Sequence, residues 1–181
     1  MEMLDVVDEK GEPTGQMVER SYAHAHDIPH RTSHVWIFRR KDGVTEVLMQ
    51  KRSPGKDSFP GCYDISSAGH IPAGSGFVDS ALRELWEELG VKAEPQDLHF
   101  CADLRLHSKN IFHGKPFLDN QYSRIFILWR DLDPADMTLQ ESEVSQVRWF
   151  PFNQVLEDAR KGKYPCLYMQ ELEDLAAALE K

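Results

Sequence analysis

GHIPAGSGFVDSALRELWEELGV, Gly69 to Val91, decides how this chain is read, because it sets three glutamates, Glu84, Glu87 and Glu88, beside Arg83 in little more than a helical turn. Like charges three and four residues apart on a helix repel by a few tenths of a kcal/mol per pair. Something should offset that repulsion. Counting ~100° per residue from Val78, the apolar Ala81, Leu82, Leu85 and Leu89 fall within about 100° of one another, which makes a core-facing stripe. On the same count Glu87, Glu84 and Glu88 lie at roughly 180°, 240° and 280°, so the carboxylates are expected to turn away from the stripe into one arc. Arg83 stands four residues before Glu87 and is placed to pair with it, and Gly90 suits a helix stop. A solvated acidic face would explain any one of these glutamates. Three of them with an arginine, preceded by the loop Ala68 to Gly74, fit a hard divalent cation better, since Mg²⁺ takes oxygen ligands and bridges phosphates.

The rest of the chain bounds what such a centre could serve. Its 181 residues suit one domain with a sizeable core, and its 41% hydrophobic and 28% charged residues are those of an ordinary globular protein. No run approaches the ~18 apolar residues of a membrane helix. The acidic opening MEMLDVVDEKGEPTGQ lacks the basic end and apolar stretch of a secretory signal, so a cytoplasmic location is expected. Cys62, Cys101 and Cys166 are too few and scattered for a disulfide framework. A net charge of −9 argues against a sequence-independent grip on a nucleic acid duplex. A phosphate ligand would need local cations to overcome that field.

Strand signals occupy Met3 to Val7, His34 to Arg40, Glu46 to Lys51, Leu98 to Leu106, Arg124 to Trp129 and Val144 to Phe150. Asp42-Gly43 between two apolar runs predicts a hairpin turn. Helical spacing covers Asn153 to Lys161 and Leu167 to Leu179, where Leu172, Leu175 and Leu179 recur. Many strands with about three helices in mixed order predict an α/β protein whose helices pack on a mixed sheet.

The glutamate-rich stretch resembles the signature box of the Nudix hydrolases, G-x5-E-x7-R-E-U-x-E-E-x-G-U with U aliphatic. Gly69, Arg83, Glu84, Leu85, Glu87, Glu88, Gly90 and Val91 match, eight of the nine defined positions of a 23-residue pattern. The resemblance implies a single domain over residues 1–181, an α/β/α sandwich with a mixed β-sheet and a loop-helix-loop metal site. It also implies Mg²⁺ or Mn²⁺ as cofactor and water attack on the phosphorus of a diphosphate linked to another moiety, such as a nucleoside diphosphate derivative. Glu84, Glu87 and Glu88 would be metal ligands, the Gly69 carbonyl a further one, and Arg83 the orienter of a carboxylate.

The chain departs from the box at Ser75, which stands where the family's first glutamate usually pairs with the arginine. One reading makes Ser75 the helix cap, with Asp79 or Glu87 partly replacing that ion pair. The other makes the protein a weakened, ligand-binding module. Outside the box, VDEKGEPTG, HRTSHVWIFRR, LMQKRSPGKDSFPGCYDISSAGH and ESEVSQVRWFP resemble the branch that includes isopentenyl-diphosphate isomerase. In that enzyme a cysteine before a Gly-His pair and a histidine-rich metal site protonate an alkene. Here the cysteine position is Ala68, and the acidic motif survives only as Asp119-Asn120-Gln121, so isomerisation is disfavoured. His24, His30 and His70 remain open as a second metal site or as ordinary hydrogen-bonding histidines.

Lys51, Arg52 and Lys56 in QKRSPGK form the best anion-binding cluster, with an ordinary basic loop as the alternative. Glu141 and Glu143 are candidate general bases outside the box. Selectivity is expected in a loop from His107 to Asn120. The expected partner is a small-molecule diphosphate, with no nucleic acid duplex and no membrane, and a homodimer is possible.

Overall fold

The computed structural model describes residues 1–181. The chain runs through β1 (Met3–Val7), β2 (Pro13–Glu19), α1 (Arg20–Ala25), β3 (His30–Lys41), β4 (Val44–Arg52), β5 (Tyr63–Asp64), β6 (Ser67–His70) and α2 (Phe77–Leu89). It continues through β7 (His99–Phe112), β8 (Lys115–Trp129), β9 (Val144–Pro151), α3 (Phe152–Arg160) and α4 (Met169–Leu179). β1 and β2 pair as a separate hairpin, and the other seven strands form one sheet in the order β5-β4-β3-β8-β7, with β6 also on β3 and β9 also on β4. β3 and β8 are parallel and every other pair is antiparallel, so the sheet is mixed.

Alternation along β3 and β4 builds two cores. Val35, Ile37 and Leu48 face one way, onto Ala81, Leu85 and Leu89 of α2. Trp36, Phe38, Val47 and Met49 face the other way, onto α3 and α4 through Phe152, Val155, Leu172 and Leu175. Period-two strands between period-3.6 helices give an α/β/α sandwich with α2 alone on one side. The β3–β4 turn is the expected one, with Asp42 and Gly43 at φ of 50° and 79°, the paired positive values that a tight hairpin requires. No helix is long and apolar enough to cross a membrane.

Two expectations need correction. Residues His107 to Asn120 are not a loop but the long arms of the β7–β8 hairpin, paired as His107↔Asn120, Ser108↔Asp119 and Lys109↔Leu118 and turned at His113-Gly114. Much of this hairpin is half-exposed, so its alternation is written in polar side chains rather than in apolar ones. The N-terminal segment also contributes more than β1. It adds β2 and the short α1, and it braces the loop before α2: Asp5 accepts from Arg31 at 2.9 Å and from the Gly74 N–H at 2.9 Å, and Ala73 N–H donates to Met3 carbonyl at 2.8 Å.

Candidate active site

The loop Ile71–Gly76 delivers the chain from β6 into α2, whose first cap is Gly76 with no side-chain hydrogen bond. Ser75 therefore does not cap the helix. Its contribution is backbone: the carbonyl accepts from Arg31 at 3.0 Å and the N–H donates to Pro72. The helix ends at Gly90, φ 67°, as its place in the sequence suggests. Arg83 finds its partners within the helix, Glu84 at 2.8 Å and, more distantly, Glu87 at 3.9 Å.

The three glutamates do not share one outward arc. Glu87 is exposed and Glu84 half-buried, whereas Glu88 is only 6% exposed. At roughly 280° on the helical count Glu88 borders the stripe rather than opposing it, and it reaches inward against the sheet. There Gln50 of β4 and Ser67 of β6 donate to its Oε2 at 3.1 and 3.0 Å. Burial, aided by the nearby charge of Glu84, raises Glu88 to about 8 despite those two hydrogen bonds. Burial also raises Glu84, against the pull of Arg83. A pair of carboxylates held reluctant to ionise is a donor set that a divalent cation would relieve, since the cation replaces the proton. β6 supplies the complementary surface. A Cβ placed on Gly69 would lie 2.5 Å from Glu84 Cδ, so glycine is what lets the β6 backbone sit against that carboxylate.

Glu84, Glu87 and Glu88 line one wall of a cavity of about 290 Å³. Arg52, Lys56, Gly69, His70 and Glu143 also border it. Arg52 is fixed by Ser58 and by Asp64 at 3.0 Å. Lys56 is ion-paired with Glu143, so that carboxylate already has a partner. Lys51 lies off the cavity wall, its ammonium 6.0 Å from the Tyr63 ring, and Glu141 is exposed away from the cavity. At the mouth stand Glu2 and Arg20, paired at 3.1 Å. Nothing in their sequence context marks them, because only the fold of the N-terminal hairpin brings them there.

A second group of ligand-type side chains meets beside this cavity. His24, His30, His70 and Asp119 place one donor atom each within 4.8 Å of one another. His24 Nε2 is 3.0 Å from His70 Nε2, and the outer nitrogens of His24 and His30 bond the carbonyls of Leu118 and Ile28 at 3.2 and 2.9 Å. His30 Nε2 and Asp119 Oδ1 are buried with no hydrogen-bond partner, although Asp119 Oδ1 is 3.3 Å from His24 Nδ1. Burial lowers all three imidazoles, His30 to about 4, which keeps them neutral and able to ligate. Ala68 borders the cavity where the isomerase-like pattern has its cysteine, so that position carries no thiol to donate a proton.

A mixed sheet between helical layers, carrying a loop-helix-loop of carboxylates above a cavity with basic residues, defines an α/β/α sandwich with an acidic centre beside basic side chains. The chain belongs to the NUDIX domain family, whose model matches residues 28–169. It is 40% identical over 156 residues to Nudix hydrolase 3 of Arabidopsis thaliana, covering 84% of this chain and 20% of that protein. It is 35% identical over 143 residues to an uncharacterized Nudix hydrolase of Clostridium acetobutylicum, covering 79% of this chain and 66% of that one. The uncharacterized Nudix hydrolase YfcD of Salmonella typhi is 30% identical over 149 residues, covering 82% and 71%. In fold the chain is similar to DR0079 from Deinococcus radiodurans, with TM-score 0.69, 20% identity and coverage of 90% and 91%. It is also similar to the NUDIX domain of Shewanella oneidensis NrtR complexed with ADP ribose, with TM-score 0.59, 18% identity and coverage of 82% and 87%.

Proposed function

We propose that this protein is a metal-dependent hydrolase of small molecules in which a diphosphate is linked to another moiety. The observation that carries the reading is the convergence of Glu84, Glu87 and Glu88 with Arg52 and Lys56 on one cavity. Its relatives' names, Nudix hydrolases, agree with it.

Glu84, Glu87 and Glu88, with the Gly69 carbonyl, would hold Mg²⁺ or Mn²⁺. When bound, such an ion supplies charge neutralisation for the diphosphate and a water of lowered pKa. The protein's own part is positioning. Arg83 draws Glu84 to one orientation, while Gln50 and Ser67 fix the Glu88 carboxylate and discourage it from swinging out. Arg52, held by Ser58 and Asp64, presents a rigid guanidinium to the anion, and Lys56 brings a second positive charge. The chemistry of the His24, His30, His70 and Asp119 group, with two orphaned donor atoms and three neutral imidazoles, also fits a second cation of the borderline type that imidazole favours.

The test is a product screen over nucleoside, sugar and alkyl diphosphates with Mg²⁺, Mn²⁺ or chelator. The expected result is hydrolysis that appears with metal and disappears with chelator. Binding of these compounds without turnover under any metal would replace the hydrolase with a ligand-binding module, the outcome that Ser75 leaves open.

A further inference from the structure

Beyond the carboxylates the cavity continues inward to a group of polar side chains that the proposed hydrolysis does not use: Thr32 and His34 of β3, Gln121 of β8, Ser108 of β7 and Tyr168 at the head of α4. Apolar Ile65, Ala68 and Leu167 line the same cavity, and beside them Thr32, His34 and Gln121 are joined by hydrogen bonds, so polar groups stand there at fixed positions.

His34 is held in an unusual way. Its Nδ1 lies 2.8 Å from Glu171 Oε1, and the same oxygen accepts from Trp36 Nε1 at 2.7 Å. Glu171 is 1% exposed, on the face of α4 that packs against the sheet beside Leu172 and Leu175. A carboxylate in such a place carries a desolvation penalty that an apolar side chain would avoid. What the pair achieves is orientation: with Nδ1 committed to Glu171, Nε2 is the end of the ring left for other partners. Its one contact is a long one, 3.3 Å to Thr32 Oγ1, and that hydroxyl is already engaged with Ser123 at 2.6 Å and Gln121 Oε1 at 3.2 Å. Gln121 Oε1 also accepts from Ser123 at 3.3 Å, which turns the amide nitrogen away from these hydroxyls. Tyr168 donates to Ser108 at 3.1 Å.

We infer that His34, Thr32, Gln121 and Tyr168 form the subsite for the organic part of the substrate, that this part is a polar group rich in hydrogen-bond acceptors such as a nucleobase or sugar, and that Glu171 positions His34 to donate to it. The inference rests on the hydrolase reading for the diphosphate end alone. Burial by itself would lower His34, but the charge and hydrogen bond of Glu171, with lesser help from Asp64 and Asp119, hold it above the ordinary imidazole value, which favours a donor at Nε2.

The test is equilibrium binding of three probes in the presence of Ca²⁺, with product formation followed in parallel samples containing Mg²⁺ or Mn²⁺: UDP-glucose, UDP and n-pentyl diphosphate. His34→Gln, Glu171→Gln and Gln121→Leu are compared with the unchanged protein, and each variant's melting temperature is measured first. The expected result is a loss of about 10-fold or more for UDP-glucose in each variant, the worth of one hydrogen bond, with pentyl diphosphate changed by less than about 2-fold. A loss for UDP-glucose with UDP unchanged would assign the subsite to the sugar, and an equal loss for both would assign it to the base. If Glu171→Gln does not fold, Gln121→Leu and His34→Gln still decide the matter. Equal losses for all three probes, or none, would overturn the subsite. Tight, His34-dependent binding without any product would sink the hydrolase reading and leave the subsite standing; turnover of pentyl diphosphate with UDP-glucose ignored would do the reverse.

Discussion

Gly69 and Glu84 stand so close that a Cβ on the glycine would fall 2.5 Å from the carboxylate carbon and 2.7 Å from Oε1. The β6 backbone and the middle of α2 therefore share a surface that admits no side chain between them. Gly69→Ala should push Glu84 off its place while sparing both apolar cores. The expected effect is a fall in metal-dependent turnover of roughly 10- to 100-fold, the range seen when a ligand's supporting contacts are disturbed. Kinetics alongside a melting curve would check it, with the first expected to move more than the second.

Glu88 gives the protein a distinctive pH dependence. Its folded value of about 8 lies above the ordinary 4.5, so between those values the folded state binds a proton that the unfolded state does not. Stability from this group is present below pH 4.5 and is lost as the pH rises through 8. His24 and His30 have the opposite sign, but they act only below their ordinary 6.5, and His34 adds to the same downward trend as Glu88. Between pH 7 and 8.5 the metal-free protein should lose about 1 kcal/mol from Glu88. Thermal denaturation should show that slope, Glu88→Gln should flatten it, and Mg²⁺ should stabilise more at the higher pH because it binds the deprotonated carboxylate.

The Asp5–Arg31 pair ties β1 to β3, and Asp5 also holds Gly74 in the loop before α2. Both side chains are buried. Asp5→Ala leaves a buried guanidinium without its carboxylate and should cost about 3 kcal/mol, the lower end for breaking such a pair. For a chain of this size that is a drop of roughly 10 °C in melting temperature. A change under about 2 °C would show that Arg31 re-pairs with the Ser75 carbonyl alone.

The histidine group predicts a second class of cation binding. Titration of the unchanged protein with Mn²⁺ or Zn²⁺ should show a site that His30→Ala removes and Glu87→Gln leaves in place. Titrations of the two variants that lose the same site would tie these histidines to the carboxylate centre instead.

Much of this architecture is legible in the sequence, and the parts that are not share a cause. The strands around Trp36, Leu48 and Phe126 and the helices carrying Leu85 and Leu175 announce themselves by apolar period, because each buries one full face. Residues 107–120 conceal a strand pair because their side chains are half in water, so no apolar alternation marks them. Glu88 was expected among the outward carboxylates because the helical count treats the border of the stripe as its outside, while the polar Gln50 and Ser67 make that border buried and hospitable. Glu171 carried a readable signal: it lies about 40° from Leu175 on the helix, a charge on an apolar face. Lys51 and Lys56 look equivalent in QKRSPGK, and only strand alternation and the turn after Arg52 separate the one beside Tyr63 from the one at the cavity.

Under the proposed function, hydrolysis depends on a cation held by the glutamates of α2. The most direct measurement is the hydrolysis rate as a function of Mg²⁺ concentration for the unchanged protein, Glu87→Gln and Glu88→Gln, on whichever diphosphate the screen identifies. Glu87 is exposed, so its substitution should leave the melting temperature alone. A loss of about 100-fold or more at saturating substrate, worth about 2.7 kcal/mol of transition-state stabilisation, and a shift of the metal dependence to higher concentration are expected in both variants. An unchanged rate and metal dependence in both would contradict the proposed function.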